Sequence, residues 1–212
     1  MVRIALAEKG LPAQLEEIAP WEEDGRLIAH NPAGTIPILI EDAAQEASAP
    51  LAPALAIMEY LEETQNAPPL YPMTARLRAE TRRIILWFTD KFEHDVITLV
   101  VRERIDKRLM RKGQPDYDKL RAGLTALDWH MDYFSWVLDQ RAWFAGEKYS
   151  AADIAAGAYL SSVDYVDAIA WEKFPAVKEW YARLKSRPSF RPILKDRIEG
   201  IPPPRHYSDL DF

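Results

Sequence analysis

The sequence contains no cysteine, and this absence excludes several kinds of chemistry at once. Without a thiol, the chain cannot form a disulfide, use a thiolate nucleophile or hold zinc through sulfur. A lack of cysteine is compatible with a reducing compartment, so we expect a cytoplasmic protein. Any catalysis would have to use oxygen or nitrogen groups.

The sequence also has fewer basic than acidic residues, 27 against 33, which gives a net charge of −6 at pH 7. Duplex nucleic acid binds through many cation–phosphate contacts, so this balance argues against it as a partner. No apolar run approaches the roughly 20 residues that a membrane helix needs. Charged residues interrupt the N-terminal apolar stretch, unlike a signal peptide. We therefore expect neither a nucleic-acid partner nor a membrane span.

The composition is typical of a globular protein, with 48 % hydrophobic and 28 % charged residues. The pattern of residues along the chain changes at one proline-rich stretch. Residues 1–65 mix helical and strand-like patterns, residues 66–74 contain three prolines, and the residues after them have helical spacing. This order predicts an α/β domain at 1–65, a linker at 66–74, an all-α domain at 75–195 and an extended tail at 196–212.

In the first domain, the residue patterns predict helices at both ends and strands between them. The opening stretch is typical of a helix that stops at Gly10, shortly before Pro12. Residues 13–19 predict a short strand, and residues 36–42 predict a strand that is buried on both faces, since they include four large aliphatic residues. Pro37 is unexpected there, because it has no amide hydrogen to donate to a sheet. Residues 54–65 predict a helix.

In the second domain, apolar residues at steps of three and four predict helices over residues 75–111 and 117–141. Ser150 and Asp153 form the S-x-x-D pattern of a capping box, which predicts that a helix begins at about Ala151. A further helix is expected to end before Pro188. The four histidines are scattered without paired ligand spacing, so we predict no metal site.

The segment from Arg102 to Lys112 is locally basic in an acidic protein. Helical spacing places four of its cations on one face, namely Arg104, Lys107, Arg108 and Arg111. Such a face would suit an acidic partner surface. The alternative is a solvated helix end whose cations interact favourably with the helix dipole. The sequence alone leaves both interpretations open.

Five stretches, in order along the chain, resemble the glutathione S-transferase superfamily: VRIALAEKGLP, NPAGTIPILIED, ALAIMEYLEE, WFAGEKYSAADIAA and WYARLKSRPSF. The resemblance implies a thioredoxin-like α/β N-terminal domain, an all-α C-terminal domain and a symmetric homodimer. It also implies that Pro37 follows a cis peptide bond, so that the exposed backbone of Ile36 would pair with the cysteinyl part of glutathione.

The sequence also differs from the family's pattern at positions that a catalytically active transferase would need. The family usually places an acidic residue and a serine before its third helix to hold the γ-glutamyl end of glutathione, but here Pro53 and Ala54 occupy those positions. Neither side chain can donate a hydrogen bond. We therefore regard Ile36, Pro37, Pro53 and Ala54 as a vestigial glutathione site and expect no cofactor.

A catalytic hydroxyl is also missing where the family would need one. Residues 1–34 contain no serine, threonine, tyrosine or cysteine, and the chain starts in a stretch that resembles the family's first helix rather than its first strand. We expect part of the native N-terminus to be missing from this sequence, and we predict no catalytic residue within it. The alternative is a glutathione transferase acting on hydrophobic electrophiles, with its hydroxyl in the missing stretch. A third interpretation is a small-molecule carrier.

The chain end PPPRHYSDLDF, the stretch APWEE and the segment RERIDKRLMRK resemble the branch of this superfamily that binds the filament-forming division protein FtsZ. This resemblance implies a non-catalytic protein that binds FtsZ and regulates bacterial constriction at the division site. The predicted partner-binding residues are Trp21, Arg102, Arg104, Lys107, Arg108, Arg111, Asp209, Asp211 and Phe212.

Overall fold

The computed structural model describes residues 1–19, 21, 25–41, 49–65 and 67–210. Contacts between Cα positions divide the chain into two compact units, Met1–Leu70 and Tyr71–Phe212. The residues predicted as a linker, 66–74, span the point at which the two units meet in the sequence.

The first unit contains three helices, α1 (Val2–Glu8), α2 (Gly25–His30) and α3 (Ala54–Thr64). Helix α1 stops where the sequence predicts, because Gly10 adopts a left-handed φ of 67° and the amide of Leu11 donates to the carbonyl of Leu6 at 2.9 Å. The buried Lys9 then ties α1 to α3 by donating to Glu62 at 3.1 Å and to the carbonyl of Gln65 at 2.7 Å.

The prediction of a strand buried on both faces at residues 36–42 is wrong for the part that the structure describes. Ile36 and Ile40 are 48 % and 54 % exposed. Only one residue of the run is paired, through an isolated antiparallel bridge between Leu39 and Leu51. Apolar side chains on a strand are buried only where sheet neighbours and packed layers cover them, and a single bridge covers neither face. The short strand predicted at residues 13–19 is irregular and largely exposed.

The second unit is helical, as predicted. It comprises α4 (Ala75–Leu86), a π-helix (Trp87–Val101), α5 (Arg102–Arg104), α6 (Asp106–Leu109), α7 (Tyr117–Leu138), α8 (Ala151–Tyr165) and α9 (Pro175–Lys185), with 3-10 turns at Trp171–Lys173, Ile193–Lys195 and Arg205–Ser208. The capping box at the start of α8 is present. The periodicity that predicts one helix over 75–111 cannot distinguish the π-helical stretch within it.

The core of the second unit is aromatic. Phe88 packs on Phe92, Phe134 and Phe144 at centroid distances of 5.3, 4.9 and 5.7 Å, and all four side chains are fully buried. Gly123 lets α7 approach the π-helix closely, because a Cβ at that position would lie 2.7 Å from side-chain atoms of the π-helix. The side of α7 that carries Gly123 and Phe134 therefore packs against the π-helix.

The segment predicted as an extended tail packs back onto the second unit. Tyr207 is buried, and its hydroxyl lies 2.8 Å from that of Ser161 on α8. The prediction of an extended conformation is wrong beyond the proline run 202–204, because residues Arg205–Ser208 form a 3-10 turn. Burial of Tyr207 offsets the loss of chain entropy and holds this segment in place.

Candidate partner-binding groove

The basic segment forms one helical stretch in which α5 and α6 continue through Ile105. The amide of Ile105 donates to the carbonyl of Val101 at 2.8 Å, and that of Leu109 donates to Ile105 at 2.9 Å. The buried Ile105 holds this stretch against the unit. Four cations follow along its outer side and just beyond its end, namely Arg104, Lys107, Arg108 and Arg111.

A buried carboxylate orients the middle of the basic stretch. Glu103 accepts hydrogen bonds from the amide of Asp116 at 3.0 Å and from Lys119 at 3.4 Å, and it pairs with Lys107 at 2.6 Å. Burial alone would raise the pKa of Glu103, but these partners lower it below its ordinary value. The ionised carboxylate therefore anchors the start of α7 to α5 and fixes the position of the Lys107 side chain.

Tyr165, at the end of α8, builds a second wall opposite the cations. Its hydroxyl accepts from the amide of Ile198 at 2.8 Å and donates to the carbonyl of Ile201 at 2.7 Å. An antiparallel bridge between Ile198 and Ile201 closes a tight turn, in which Gly200 has a left-handed φ of 72°. The proline run 202–204 leaves this turn and continues the wall.

Between these two walls lies an open groove with a volume of about 800 Å³. It is lined by the basic stretch, by the loop residues 113–115, by the end of α8 (residues 165–167) and by residues 201–204 of the tail segment. All of these belong to the second unit. The four cations face only two carboxylates in this lining, Glu103 and Asp167, so the groove is positively charged.

Within the groove the cations differ in how firmly they are held. Arg104 donates to the carbonyl of Val166 at 2.6 Å and is half-buried. Lys107 is paired with Glu103. Arg108 and Arg111 are exposed, and Arg111 has a left-handed φ of 54° at the end of the helical stretch. The two exposed guanidinium groups are therefore placed to meet a ligand.

The other predicted partner-binding residues do not lie in the groove. Arg102 pairs with Glu93 of the π-helix, so its charge is already compensated by a carboxylate. Trp21 is exposed but belongs to the first unit. Asp209 lines a second cavity, of about 580 Å³, next to His206. Asp211 and Phe212 lie outside the described residues, so the structure does not place them.

The residues predicted to form a vestigial glutathione site lie in the first unit. The Ile36–Pro37 peptide bond is cis, as the resemblance implies, and the Ala52–Pro53 bond is cis as well. Pro53 precedes the first residue of α3, Ala54, and no side-chain hydrogen bond caps that helix. The side chains at the helix start thus have no hydrogen-bond donor to offer a charged ligand.

Sequence reasoning did not identify the second wall of the groove. Tyr165 and Ile201 are 36 residues apart and are joined only by the fold. The one available signal was the proline run 202–204, which indicated a stiff segment but not what it packs against.

The described part of the chain holds no group of three or more histidine, aspartate or glutamate side chains arranged for a metal ion. Among the same residues, none of the helices is both long enough and apolar enough to cross a bilayer.

Comparison with family models settles the family. The model for the N-terminal domain of glutathione S-transferase matches residues 1–64, and the model for its C-terminal domain matches residues 88–188. The chain belongs to the glutathione S-transferase family. The predicted fold class, a thioredoxin-like α/β domain followed by an all-α domain, is confirmed by these matches and by similar solved structures.

Individual relatives are similar over the full chain. FtsZ-localized protein A from Caulobacter vibrioides is 44 % identical over 211 residues, which cover 100 % of this chain and 92 % of that protein. The solved structure of FzlA from C. crescentus has a TM-score of 0.96 and 44 % identity, with 100 % and 93 % coverage. A glutathione S-transferase structure from Rhodospirillum rubrum has a TM-score of 0.94 with the same identity and coverage. Glutathione S-transferase 2 from Saccharomyces cerevisiae is 29 % identical, with 94 % and 86 % coverage.

Proposed function

We propose that this protein binds FtsZ filaments in the cytoplasm at the division site, where it regulates constriction rather than acting as a transferase. The observation that carries this proposal is the groove, in which the basic stretch and the tail segment form opposite walls of one surface. The similarity to FtsZ-localized protein A supports FtsZ as the partner. The groove supplies a surface by which such a partner would be held.

The non-catalytic part of the proposal rests on what the first unit offers glutathione. The start of α3 presents Pro53 and Ala54, whose side chains cannot pair with a charged ligand group. These features favour a binding function over glutathione conjugation.

A homodimer would give the protein two filament-binding surfaces, so that one dimer bridges neighbouring filaments. An exposed aromatic ladder supports this part of the proposal. Trp87 stacks on Trp129 at 5.9 Å and on Tyr133 at 4.5 Å, and Tyr133 stacks on Trp136 at 6.1 Å. Trp129 and Trp136 are 53 % and 58 % exposed. Large aromatic side chains held rigidly at a surface are typical of protein interfaces.

The partner proposal is tested by reversing charge in the groove. We expect Arg108→Glu with Arg111→Glu to weaken binding to assembled FtsZ filaments at least ~10-fold, because each lost charge-assisted contact is worth about 1.5–3 kcal/mol. The measurement is co-sedimentation with filaments over a range of protein concentrations. Arg76→Glu with Arg121→Glu is the matched control, since both residues are exposed in the second unit outside the groove. Equal co-sedimentation of the groove variant and the control would contradict the proposal.

The dimer proposal is tested on the aromatic ladder. We expect Trp136→Arg to shift the protein from twice the chain mass to a single chain mass, because a buried and unpaired cation at an interface is costly. Analytical ultracentrifugation at micromolar concentration measures this shift. Tyr117→Arg, at an 80 % exposed position at the other end of α7, should leave the mass unchanged. A Trp136→Arg protein with the wild-type mass would show that the ladder is not the dimer contact.

A further inference from the structure

The two walls of the groove differ in chemistry, and the difference indicates what the groove would bind. One wall carries four cations on a helical stretch, and the other is formed by residues 165–167, Ile201 and the proline run 202–204, with Asp167 as its one carboxylate. Prolines have no amide hydrogen, so this second wall offers apolar surface and few donors. A ligand that fits both walls must carry negative charge on one side and apolar groups on the other.

The spacing of the cations suits an extended chain. Arg104 and Arg108 are one helical turn apart, which corresponds to a rise of about 6 Å. In an extended peptide, residues i and i+2 point to the same side and lie roughly 6.6 Å apart. Acidic side chains at alternate positions would therefore meet successive cations, while the side chains between them would face the proline wall.

The groove is also prepared for such a ligand before it binds. Arg104 is held by the carbonyl of Val166, and Lys107 is held by Glu103. The opposite wall is fixed by the two hydrogen bonds of the Tyr165 hydroxyl. Rigid walls reduce the entropy that binding must overcome, so the exposed Arg108 and Arg111 are the main side chains left to be ordered.

Two other anionic ligands fit less well. Sites for free phosphate are usually built from converging backbone amides, but one wall of this groove is a run of three prolines. A lipid surface is flat and would reach the exposed Arg108 and Arg111 without filling the groove between the two walls. The different chemistry of the two walls therefore favours a peptide over free phosphate and over a lipid surface.

We propose that this groove binds an extended peptide segment in which acidic residues alternate with apolar ones. The inference rests on the proposed function, because this peptide segment would be the part of FtsZ that binds in the groove. It identifies Arg108 and Arg111 as the residues that select for acidic character, and residues 201–204 as the surface that selects for apolar side chains at the intervening positions.

The test uses the full chain and a fluorescein-labelled octapeptide of alternating glutamate and valine, with fluorescence anisotropy as the readout. We expect binding that weakens at least ~10-fold in the Arg108→Glu, Arg111→Glu variant and less than about twofold in the Arg76→Glu, Arg121→Glu control. A glutamine–valine peptide should bind at least ~10-fold more weakly than the glutamate–valine peptide. Affinity for the acidic peptide should also fall as salt is raised from 50 to 300 mM, because the contacts are between exposed charges.

Several results would overturn the inference. They are equal binding of the two peptides, an equal loss in the control variant, or groove-dependent binding only to inorganic phosphate or to vesicles containing 30 % phosphatidylserine. The peptide test and the FtsZ co-sedimentation test can fail independently of each other. Peptide binding without FtsZ co-sedimentation would retain the groove's specificity and reject the partner. Groove-dependent FtsZ co-sedimentation without peptide binding would retain the partner and reject an extended acidic segment as its contact.

Discussion

Replacing Asp153 with alanine is expected to destabilise the second unit by about 3–5 kcal/mol. This carboxylate is fully buried and accepts four hydrogen bonds. Its Oδ1 accepts from the amide of Phe144 at 2.9 Å and from the indole of Trp180 at 3.0 Å, and its Oδ2 accepts from the amide and hydroxyl of Ser150 at 3.0 and 3.2 Å. The side chain thus joins the loop before α8, the start of α8 and the middle of α9.

The large effect follows from what the substitution leaves behind. Alanine would remove the capping box, worth about 1 kcal/mol, and would leave the Phe144 amide and the Trp180 indole buried without an acceptor. Burial raises the pKa of Asp153 to about 6, although all four hydrogen bonds oppose that shift. Measurements above pH 7 therefore compare alanine with the ionised carboxylate.

Urea unfolding at pH 7.5, followed by tryptophan fluorescence, measures the loss. Asp116→Ala is the matched control, because Asp116 also caps a helix by accepting two amide hydrogen bonds but is exposed. Its loss should be about 1 kcal/mol. If Asp153→Ala costs no more than Asp116→Ala, burial does not increase the importance of this carboxylate.

The features that sequence patterns predicted correctly are those that depend on neighbouring residues. The stop of α1 at Gly10, the capping box of Ser150 and Asp153, and the buried side of α7 around Met131 all follow from residues within a few positions of one another. Local preference and packing agree at these points, so the pattern predicts the structure. The π-helix is different, because an i→i+5 bond such as that from the amide of Arg102 to the carbonyl of Ile97 leaves no distinct mark on apolar spacing.

The features that sequence patterns missed depend on distant partners. Ile36 and Ile40 have the composition of a buried strand, but their burial is decided by neighbours that the run itself does not specify. In the groove, the helical spacing placed Arg104 and Arg108 on one side. The predicted partner-binding residues also included Arg102, whose partner Glu93 lies nine residues earlier on the π-helix. The cationic wall was therefore predictable, whereas the proline wall opposite it required the folded tail segment.

That tail segment is held by a buried polar cluster, and Asp164→Ala is expected to release it. Asp164 is fully buried on α8, and its Oδ1 accepts from the indole of Trp171 at 2.8 Å and from His206 at 2.9 Å. The fully buried Lys185 donates to the carbonyl of His206 at 2.9 Å. Burial raises the pKa of Asp164 and lowers that of Lys185, while the attraction between the two opposes both shifts. Attraction between the two groups thus offsets part of the cost of burying each of them.

Alanine at position 164 would leave the buried Lys185 without its carboxylate and the Trp171 indole without its acceptor, so we expect a loss of about 3–5 kcal/mol. Asp128→Ala is the control, because Asp128 forms an exposed pair with Lys173 at 3.6 Å and should cost less than about 0.5 kcal/mol. Urea unfolding measures both.

Asp164→Ala should also affect binding in the groove, because the tail segment forms one of its walls. His206 and Tyr207 follow the proline run after one intervening residue, Arg205, so loosening their attachment should let residues 201–204 move away from the cationic wall. We therefore expect Asp164→Ala to weaken binding of the glutamate–valine peptide under conditions in which the protein remains folded. It should do so without the change in salt dependence that the loss of Arg108 and Arg111 would cause, since no groove charge is removed. A destabilised variant with wild-type peptide affinity would show that the proline wall keeps its position without the Asp164 carboxylate.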